Sequence, residues 1–461
     1  MSIKIGKKPE VNMTTGNIAK LIIAFTVPLI LGNLFQQFYN MVDTWVVGNY
    51  VGDDAFAAVG TVAAVLNMYI YAFTGFATGA GVVISQYFGA NDFKKVRETV
   101  HTMVTISIIF CVVFTIVGVS TVPAVINMLK SPEGVAGEQK IYLTIIFAFI
   151  SFQIIYNMSA AILRAIGDST RPFIFLVVAC VLNIILDLLF VIVFHMGVAG
   201  VAWATIIAQG VSAILCLIVL FRTDSVVKLN LKELQIEKTC ARQIFAMGIP
   251  TALQQCITAF SNIFVQSYTN SFGRDVMGGW TVYSKVDQIV MLPQQSFGMA
   301  VATFIGQNLG AGDEKRAKKG LTTGIWLSWI FSAVLVAAVM IFAEPVSYFF
   351  NKSPNIIEYG VFFLRLITPF MMVGSLAMLL VSGLRGAGNS TVPMIITLFS
   401  YVAFRQLYLF AVTKIWPGQL LPVGLAYPAG WVLCMIIIGI YYLKVGFGVR
   451  VSIVDKPSEE K

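Results

Sequence analysis

Long apolar stretches separated by short polar ones run through almost the whole chain. A helix needs about 20 apolar residues to cross a bilayer, because each residue adds about 1.5 Å along the helix axis. Twelve such stretches can be counted, near residues 18–47, 55–86, 99–126, 140–163, 172–194, 198–221, 243–270, 277–307, 321–343, 357–384, 391–413 and 421–445. The pattern predicts an all-α integral membrane protein with twelve transmembrane helices.

The second half of the chain repeats the first half. The segment LRAIGDSTRP (Leu163–Pro172) returns as LRGAGNSTVP (Leu384–Pro393), and QYFGANDFKK (Gln86–Lys95) returns at the same offset as QNLGAGDEKR (Gln307–Arg316). Each copy contains six predicted spans, and an even number brings both copies into the membrane in the same direction. The sequence therefore predicts two six-helix lobes related by a pseudo-twofold axis along the membrane normal, with a binding site near the midplane.

The repeat and the loop charges divide the chain into five parts. We expect a cytoplasmic N-terminal segment, an N-lobe, a basic cytoplasmic linker, a C-lobe and a cytoplasmic tail, at residues 1–15, 16–221, 222–242, 243–446 and 447–461. Only five Lys and Arg residues lie in the loops opposite the termini: Lys130, Lys140, Arg274, Lys352 and Lys414. Because basic loops stay in the cytoplasm, the sequence predicts a multi-pass protein of the cell (inner) membrane with both termini in the cytoplasm.

The composition supports the membrane assignment and limits the chemistry. Hydrophobic residues make up 58% of the chain and charged residues 11%, whereas a soluble domain carries about 25% charged residues. The net charge of +9 is explained by the basic cytoplasmic loops and needs no nucleic-acid partner. The six cysteines form no C-x-x-C pair, there are only two histidines, and no P-loop occurs. We therefore expect a protein that is not an enzyme and uses no cofactor.

Polar residues inside the predicted N-lobe spans form a candidate ion site. An ionisable group at the bilayer centre costs at least about 2.5–3.5 kcal/mol, so it needs a partner or a task. Asn183 and Asp187 lie one helical turn apart, on one helix face, and Asp43 and Thr205 fall in the outer half of the same lobe. These oxygen atoms suit either Na+ or a proton. The alternative is a hydrogen-bonded polar clamp between helices.

The predicted C-lobe spans carry charges as well. Lys285 and Asp287 point to different sides of the eighth span, and Arg405 lies in the eleventh. A structural ion pair between Asp287 and Arg405 and a cavity-lining role are both open. Pro28 and Pro250 lie inside the first and seventh spans, in matching segments of the two copies. They predict kinks that act either as hinges or as fixed bends.

At these motifs the sequence resembles the multidrug and toxic compound extrusion (MATE) transporters. The resemblance rests on the repeated motifs and on Phe38–Gly60 (FYNMVDTWVVGNYVGDDAFAAVG), Ser85–Asp92 (SQYFGAND), Asn183–Asp187 (NIILD) and Gly197–Thr205 (GVAGVAWAT). It covers about residues 15–445. It implies a twelve-helix, two-lobe fold, and antiport in which a drug leaves while Na+ or H+ enters.

Within that family the chain looks most like the DinF-like group. The resemblance implies a coupling site made by an acid on helix 1, an Asn and an Asp on helix 5, and a Thr on helix 6. The matching residues are Asp43, Asn183, Asp187 and Thr205, with Asn157 on helix 4 as a weaker match. The first four are also the possible Na+ ligands.

The NorM-like group uses acids on helices 7 and 10 instead. Here helix 7 offers Gln254 and Gln255, and the only acid of helix 10 is Glu358 at its outer edge. A C-lobe ion site of that kind is therefore not expected.

Met and aromatic residues suggest an adaptable cavity wall, because Met repacks around varied ligands and aromatic faces hold cations. Most of these residues face lipid or core instead. Besides Asp287 and Arg405, the substrate-cavity candidates are Tyr39, Gln153, Met158, Tyr283 and Met291.

The function predicted from these features is secondary active efflux of amphipathic organic cations or drugs in exchange for Na+ or H+, by a monomer in the lipid bilayer. The alternative is a flippase for lipid-linked precursors with the same fold. Such proteins often have a strongly cationic central cavity, whereas only Lys285, Arg365 and Arg405 lie within spans here.

Overall fold

The computed structural model describes residues 11–447. Residues 1–10 and 448–461, which include most of the predicted terminal segments, lie outside this range. Seventeen α-helices occur in the described chain: α1 Ile18–Tyr50, α2 Asp53–Gly89, α3 Phe93–Leu129, α4 Glu133–Ala148, α5 Ile150–Ala165, α6 Thr170–Asp187, α7 Gly197–Arg222, α8 Lys238–Asn270, α9 Arg274–Gly310, α10 Glu314–Ile341, α11 Ala343–Phe350, α12 Pro354–Ile367, α13 Met371–Gly386, α14 Thr391–Leu398, α15 Arg405–Ile415, α16 Leu420–Gly424 and α17 Ala426–Val445.

The helices confirm a multi-pass, all-α membrane protein. Ten helical segments between residues 11 and 447 are long and apolar enough to cross a membrane, and the bent pair α4–α5 makes an eleventh. The remaining predicted span is α8, which is helical over 33 residues but less apolar than the others. Its polar residues include Thr251, Gln254 and Gln255.

Several predicted spans are interrupted helices. α4 and α5 meet at an angle of 46°. α6 continues into a π-helical turn at Leu188–Val193, and a second π-helical turn, Phe399–Phe404, joins α14 to α15. Between α12 and α13 the chain forms a 3-10 turn at Thr368–Phe370. Hydrophobic periodicity does not reveal these breaks, because the apolar composition continues through them.

The repeated motifs form the same local structure in both halves. Gly167 and Gly388 both have φ +89°, a left-handed conformation that glycine adopts without a Cβ penalty. The next residue then caps the following helix: Asp168 accepts from the backbone N–H of Arg171 at 3.1 Å, and Asn389 accepts from that of Val392 at 3.1 Å. The repeat is therefore a repeat of helix-start geometry as well as of sequence.

The other repeated motif also caps a helix. The Asp92 carboxylate accepts from the Lys95 N–H at 3.0 Å, and that of Asp313 accepts from the Arg316 N–H at 2.8 Å. Both caps satisfy an N–H that the first turn of a helix leaves without an intrahelical partner.

The described chain divides into two compact units. Unit 1 contains Val27–Phe245, and unit 2 contains Met13–Thr26 together with the chain from Ala246 onward. The divisions fall inside α1 and α8, a few residues before Pro28 and Pro250, which both lie within uninterrupted helix.

The predicted linker region packs on α3 within unit 1. The backbone N–H of Asn230 donates to Nε2 of the buried His101 at 3.1 Å, and the N–H of Glu237 donates to the Thr102 hydroxyl at 3.1 Å. The Glu237 carboxylate in turn accepts from the Cys240 N–H at 2.6 Å in the first turn of α8. This backbone hydrogen bond lowers the pKa of Glu237 to about 2.

Unit 2 has an aromatic core around α9. The Trp280 ring lies 5.0 Å from that of Tyr283, 5.1 Å from that of Phe363 and 5.6 Å from that of Tyr427, measured between centroids. Trp431 packs against Tyr427 at 5.9 Å. Tyr283 and Tyr427 of this core contact the charged residues Asp287 and Arg405, which are described below.

Candidate functional site

Three helices of unit 1 bring the predicted ion-site residues into its interior. α1 carries Asp43, α6 carries Asn183 and Asp187, and α7, which packs along α6, carries Thr205. The exposed fraction is 8% for Asp43, 2% for Asn183 and 0% for Asp187, and Thr205 is half-buried. All four residues are therefore withdrawn from the surface of the protein.

The two carboxylates lie together. The carboxyl groups of Asp43 and Asp187 are within hydrogen-bonding reach of each other. Two carboxylates so placed repel each other unless a cation or a shared proton lies between them. The sequence placed both acids in one half of one lobe, and the structure brings their side chains together.

The polar atoms of this cluster lack other partners within the protein. Both carboxylate oxygens of Asp187, one of Asp43, both amide atoms of Asn183 and the Thr205 hydroxyl are buried without a hydrogen bond. Most buried polar groups in proteins are hydrogen-bonded, so six such atoms on α1, α6 and α7 of one unit are unusual. A polar clamp between helices would have its hydrogen bonds made, and the arrangement disfavours that alternative.

Sequence reasoning missed several neighbours of the acids. Tyr142 of α4, 7% exposed, lies near both Asp43 and Asp187. Tyr39, a predicted substrate-cavity candidate one turn before Asp43, has its phenol beside Gln36 and Gln209, neither of which was predicted. The sequence signal that could have identified Tyr142 and Gln209 is their polarity, because both lie inside apolar spans. Neither carries a charge that would have distinguished it from other polar residues in the spans.

The π-helical turn that follows Asp187 is the second missed feature. Asp187 is the last residue of α6, and Leu188–Val193 adopts π-helical hydrogen bonding directly after it. Such turns occur often at functional sites, since they insert a residue and redirect side chains.

The cluster can bind a hard cation or a proton. Carboxylate, amide and hydroxyl oxygens are the donors that hard cations prefer, and a carboxylate pair can equally share one proton. The residues present therefore fit either ion.

Other predicted residues of unit 1 lie apart from these unpaired atoms or have partners. The Asn157 amide donates to the Gln153 carbonyl at 2.8 Å, and its oxygen accepts from the Thr74 hydroxyl at 3.5 Å. Met158 is 1% exposed and Gln153 is half-buried. Asn157 is thus satisfied by residues outside the acid cluster.

Of the two alternatives left open for Asp287 and Arg405 in unit 2, the ion pair between them does not form. The Tyr283 hydroxyl donates to Asp287 at 3.0 Å. Nη2 of Arg405 donates to Ser261 Oγ at 2.9 Å and to Asn262 Oδ1 at 2.8 Å. Among the described residues no carboxylate forms an ion pair with Arg405. A hydroxyl and an amide of α8 are the partners of this guanidinium group instead.

The remaining candidates surround these groups. Tyr283 is 2% exposed within the aromatic core, and Met291 packs against that core while half-buried. Gln254, at the position where a C-lobe acid was not expected, donates to the Thr397 hydroxyl at 3.1 Å and accepts from Arg385 at 3.0 Å. Its polar atoms are satisfied by neighbouring side chains.

A comparison with protein families decides the relationship of the chain. The model of the MatE family matches residues 28–189 and again residues 250–407. The chain belongs to the MATE family. The first match begins at Pro28 and the second at Pro250, so the family model aligns the two copies in the register of the internal repeat. The predicted family is thereby confirmed, and its DinF-like branch stays a prediction.

Relatives of this MATE protein cover nearly its whole length. It is 28% identical over 408 residues to the "Probable multidrug resistance protein YpnP" of Bacillus subtilis, covering 88% of this chain and 91% of that protein. It is 26% identical to the "Probable multidrug resistance protein NorM" of Thermotoga maritima, covering 86% of each.

Solved structures share the fold. A MOP superfamily transporter from Pyrococcus furiosus superposes with a TM-score of 0.90 at 22% identity, over 95% of this chain and 98% of that chain. An outward-facing multidrug resistance MATE family transporter superposes with a TM-score of 0.88 at 22% identity, over 95% and 98% respectively. The twelve-helix fold is therefore that of the MATE transporters.

Proposed function

We propose that this protein is a secondary active exporter of amphipathic organic cations, driven by Na+ or H+ that binds at Asp43, Asn183, Asp187 and Thr205. The observation that carries the proposal is the set of buried, unpaired oxygen atoms around two adjacent carboxylates. Family membership supports it, as do the relatives named as multidrug resistance proteins. It acts in the cell membrane with both termini in the cytoplasm, and it uses no cofactor.

The mechanism follows from the electrostatics of the acid pair. Without a cation, Asp43 and Asp187 repel each other, so the state that holds them together is destabilised. A Na+ ion or a proton removes the repulsion and stabilises that state. Release of the ion on the other side of the membrane restores the repulsion and destabilises that state again. Such differential binding to two states is what couples an ion gradient to transport.

Pro28 is the proposed mechanical link between ion binding and movement. A proline inside a helix removes one backbone hydrogen bond and permits bending, and Pro28 lies on the same helix as Asp43. Pro250 occupies the corresponding position in α8. We propose that both act as hinges when the protein changes state.

The deciding experiment is transport of a fluorescent organic cation in proteoliposomes, with the Na+ gradient and the pH gradient imposed separately. One of the two gradients is expected to drive accumulation, and Asp187→Asn to abolish it. Asp53→Asn is the matched control, because Asp53 is an exposed acid of the same unit. Equal transport with and without both gradients, or full activity of Asp187→Asn, contradicts the proposal.

A further inference from the structure

The three helices that build the candidate ion site in unit 1 have counterparts that meet in unit 2. Tyr39 and Asn40 stand as far beyond Pro28 in α1 as Ser261 and Asn262 stand beyond Pro250 in α8, so the two pairs correspond. The GVAW motif that opens α7 corresponds to GLAY (Gly424–Tyr427) at the start of α17. The second copy of the site is therefore built from α8, α14 with α15, and α17.

A π-helical turn fixes the correspondence for the remaining helix. α6 and α14 begin at Thr170 and Thr391, which are equivalent positions of the repeated motif. The π-helical turn Phe399–Phe404 then inserts one residue before Arg405, whereas the π-helical turn of unit 1 comes only after Asp187. Once that inserted residue is allowed for, Arg405 occupies the position of Asn183.

The charge of the second copy is reversed. The counterparts of Asp43 and Asp187, counted from Pro250 and from Arg405, are Val265 and Leu409, both 0% exposed within the apolar core of unit 2. Where unit 1 places two carboxylates, unit 2 places two aliphatic side chains and one guanidinium. The position equivalent to Asn183 therefore carries a positive charge, and the positions equivalent to the two acids carry none.

Arg405 is a buried cation whose hydrogen bonding is incomplete. Its side chain is 2% exposed and lies over the Tyr427 ring, 4.7 Å from the centroid. Ser261 and Asn262 use Nη2, while Nε is buried without a partner. Asp287 is bound to Tyr283 instead of neutralising this charge. A buried guanidinium without a carboxylate is costly, and in a membrane segment it marks a functional group.

We propose that Arg405 makes this second copy an anion-accepting subsite, which takes the carboxylate of an aromatic substrate. The inference rests on the proposed export function and names a substrate class for it. A guanidinium donates charge-assisted hydrogen bonds to carboxylate oxygens, and the unpaired Nε is the donor that this subsite offers. The rings of Tyr427, Tyr283 and Trp280, with centroids 5.0 to 6.5 Å apart, provide the aromatic wall.

The test compares two dyes that differ in one group: a rhodamine with a free carboxylate and its ethyl ester. Both carry the same cationic ring system, and only the first also carries a carboxylate. In proteoliposomes under the driving ion gradient, the wild-type protein is expected to show a KM for the free acid about tenfold lower than for the ester, as a charge-assisted hydrogen bond gives. In Arg405→Gln the ratio of the two KM values should fall to about one.

Two further variants separate binding from folding. Arg365→Gln removes another arginine within a span, one that is exposed, and should leave the ratio unchanged. Arg405→Lys keeps the positive charge but removes the planar guanidinium and its Nε donor. It should give an intermediate ratio of the two KM values even if Arg405→Gln does not fold.

Three outcomes are decisive. Ion-driven transport of both dyes by the wild type with equal KM values overturns this inference and leaves the proposed function standing. Equal weakening of both dyes in Arg405→Gln assigns Arg405 a structural role and also overturns it. If neither dye is transported under an ion gradient, the proposed function itself is contradicted.

Discussion

Replacement of Asp187 by Asn should stabilise the protein while it abolishes transport. Asp187 is fully buried, and neither carboxylate oxygen accepts a hydrogen bond from the protein. Its carboxylate also lies beside that of Asp43. Without a bound ion, the folded protein bears both the burial of this charge and the repulsion between the acids.

The expected magnitude follows from the difference between the cost of burying a carboxylate and the cost of burying an amide. A carboxylate within the bilayer costs at least about 2.5–3.5 kcal/mol, and a neutral amide without partners costs about 1–3 kcal/mol. The variant is therefore expected to gain about 1–2 kcal/mol in free energy of unfolding. Transport should fall at least about tenfold, because the ion loses a charged ligand worth about 1.5–3 kcal/mol.

Both quantities are measured on the same preparation. Thermal unfolding of the purified protein in Na+-free detergent solution at neutral pH reports stability, and gradient-driven uptake in proteoliposomes reports activity. Asp53→Asn, which neutralises an exposed acid, should change neither. A loss of stability above about 1 kcal/mol in Asp187→Asn, the sign expected of a broken structural network, would refute the reasoning.

Three other substitutions test separate parts of the structure. Thr205→Ala removes an unpaired hydroxyl, so the half-saturating concentration of the driving ion should rise about tenfold with little change in thermal stability. Glu237→Ala removes the carboxylate that accepts from the Cys240 N–H; the melting temperature should fall at neutral pH. The ionised Glu237 carboxylate stabilises the folded state fully only above the ordinary Glu pKa of about 4.3. The difference in melting temperature should therefore shrink as the pH falls from that value toward the folded-state pKa of about 2. Gly279→Ala places a Cβ 2.5 Å from that of Tyr359, and overpacking of this kind should cost about 1–3 kcal/mol in the free energy of unfolding.

Each of these substitutions has a control or a contrary result. Gly439→Ala adds a Cβ with no atom within 4 Å and should be neutral or slightly stabilising, since Ala favours helix over Gly. An unchanged ion dependence in Thr205→Ala would remove Thr205 from the site. A stability difference for Glu237→Ala that persists at the lowest accessible pH would mean that the ionised carboxylate is not what stabilises the start of α8.

The candidate ion site was accessible from sequence because charge within an apolar stretch is rare. Asp43 and Asp187 stood out against their apolar surroundings, and Asn183 was singled out because it lies one helical turn from Asp187 on the same helix face. Tyr142 and Gln209 did not stand out, since a neutral polar residue in a span has many ordinary roles. The place of Tyr142 near the acids, and of Gln209 beside Tyr39, depends on how α4 and α7 pack.

The partners of the two charged residues in unit 2 could not be predicted from sequence either, because they too depend on how helices pack. Asp287 and Arg405 were the obvious opposite charges, but Tyr283 lies one turn from Asp287 on the same helix and binds it first. Ser261 and Asn262 bind the guanidinium from α8. Each charged group is thus hydrogen-bonded to neutral polar residues and not to the opposite charge.

What the sequence by itself determined is the class of the protein, its duplicated helices and the polar residues within them. These follow from hydrophobic length, from the repeated motifs and from the cost of charge in lipid, all of which are local properties of the chain. Only the tertiary structure decided which side chains share an environment: the carboxylates of unit 1 without other hydrogen-bond partners, and the guanidinium of unit 2 without a carboxylate. Burial and side-chain contact arise from the packing of helices far apart in the chain, and a π-helical turn of one inserted residue shifts which side chains face inward.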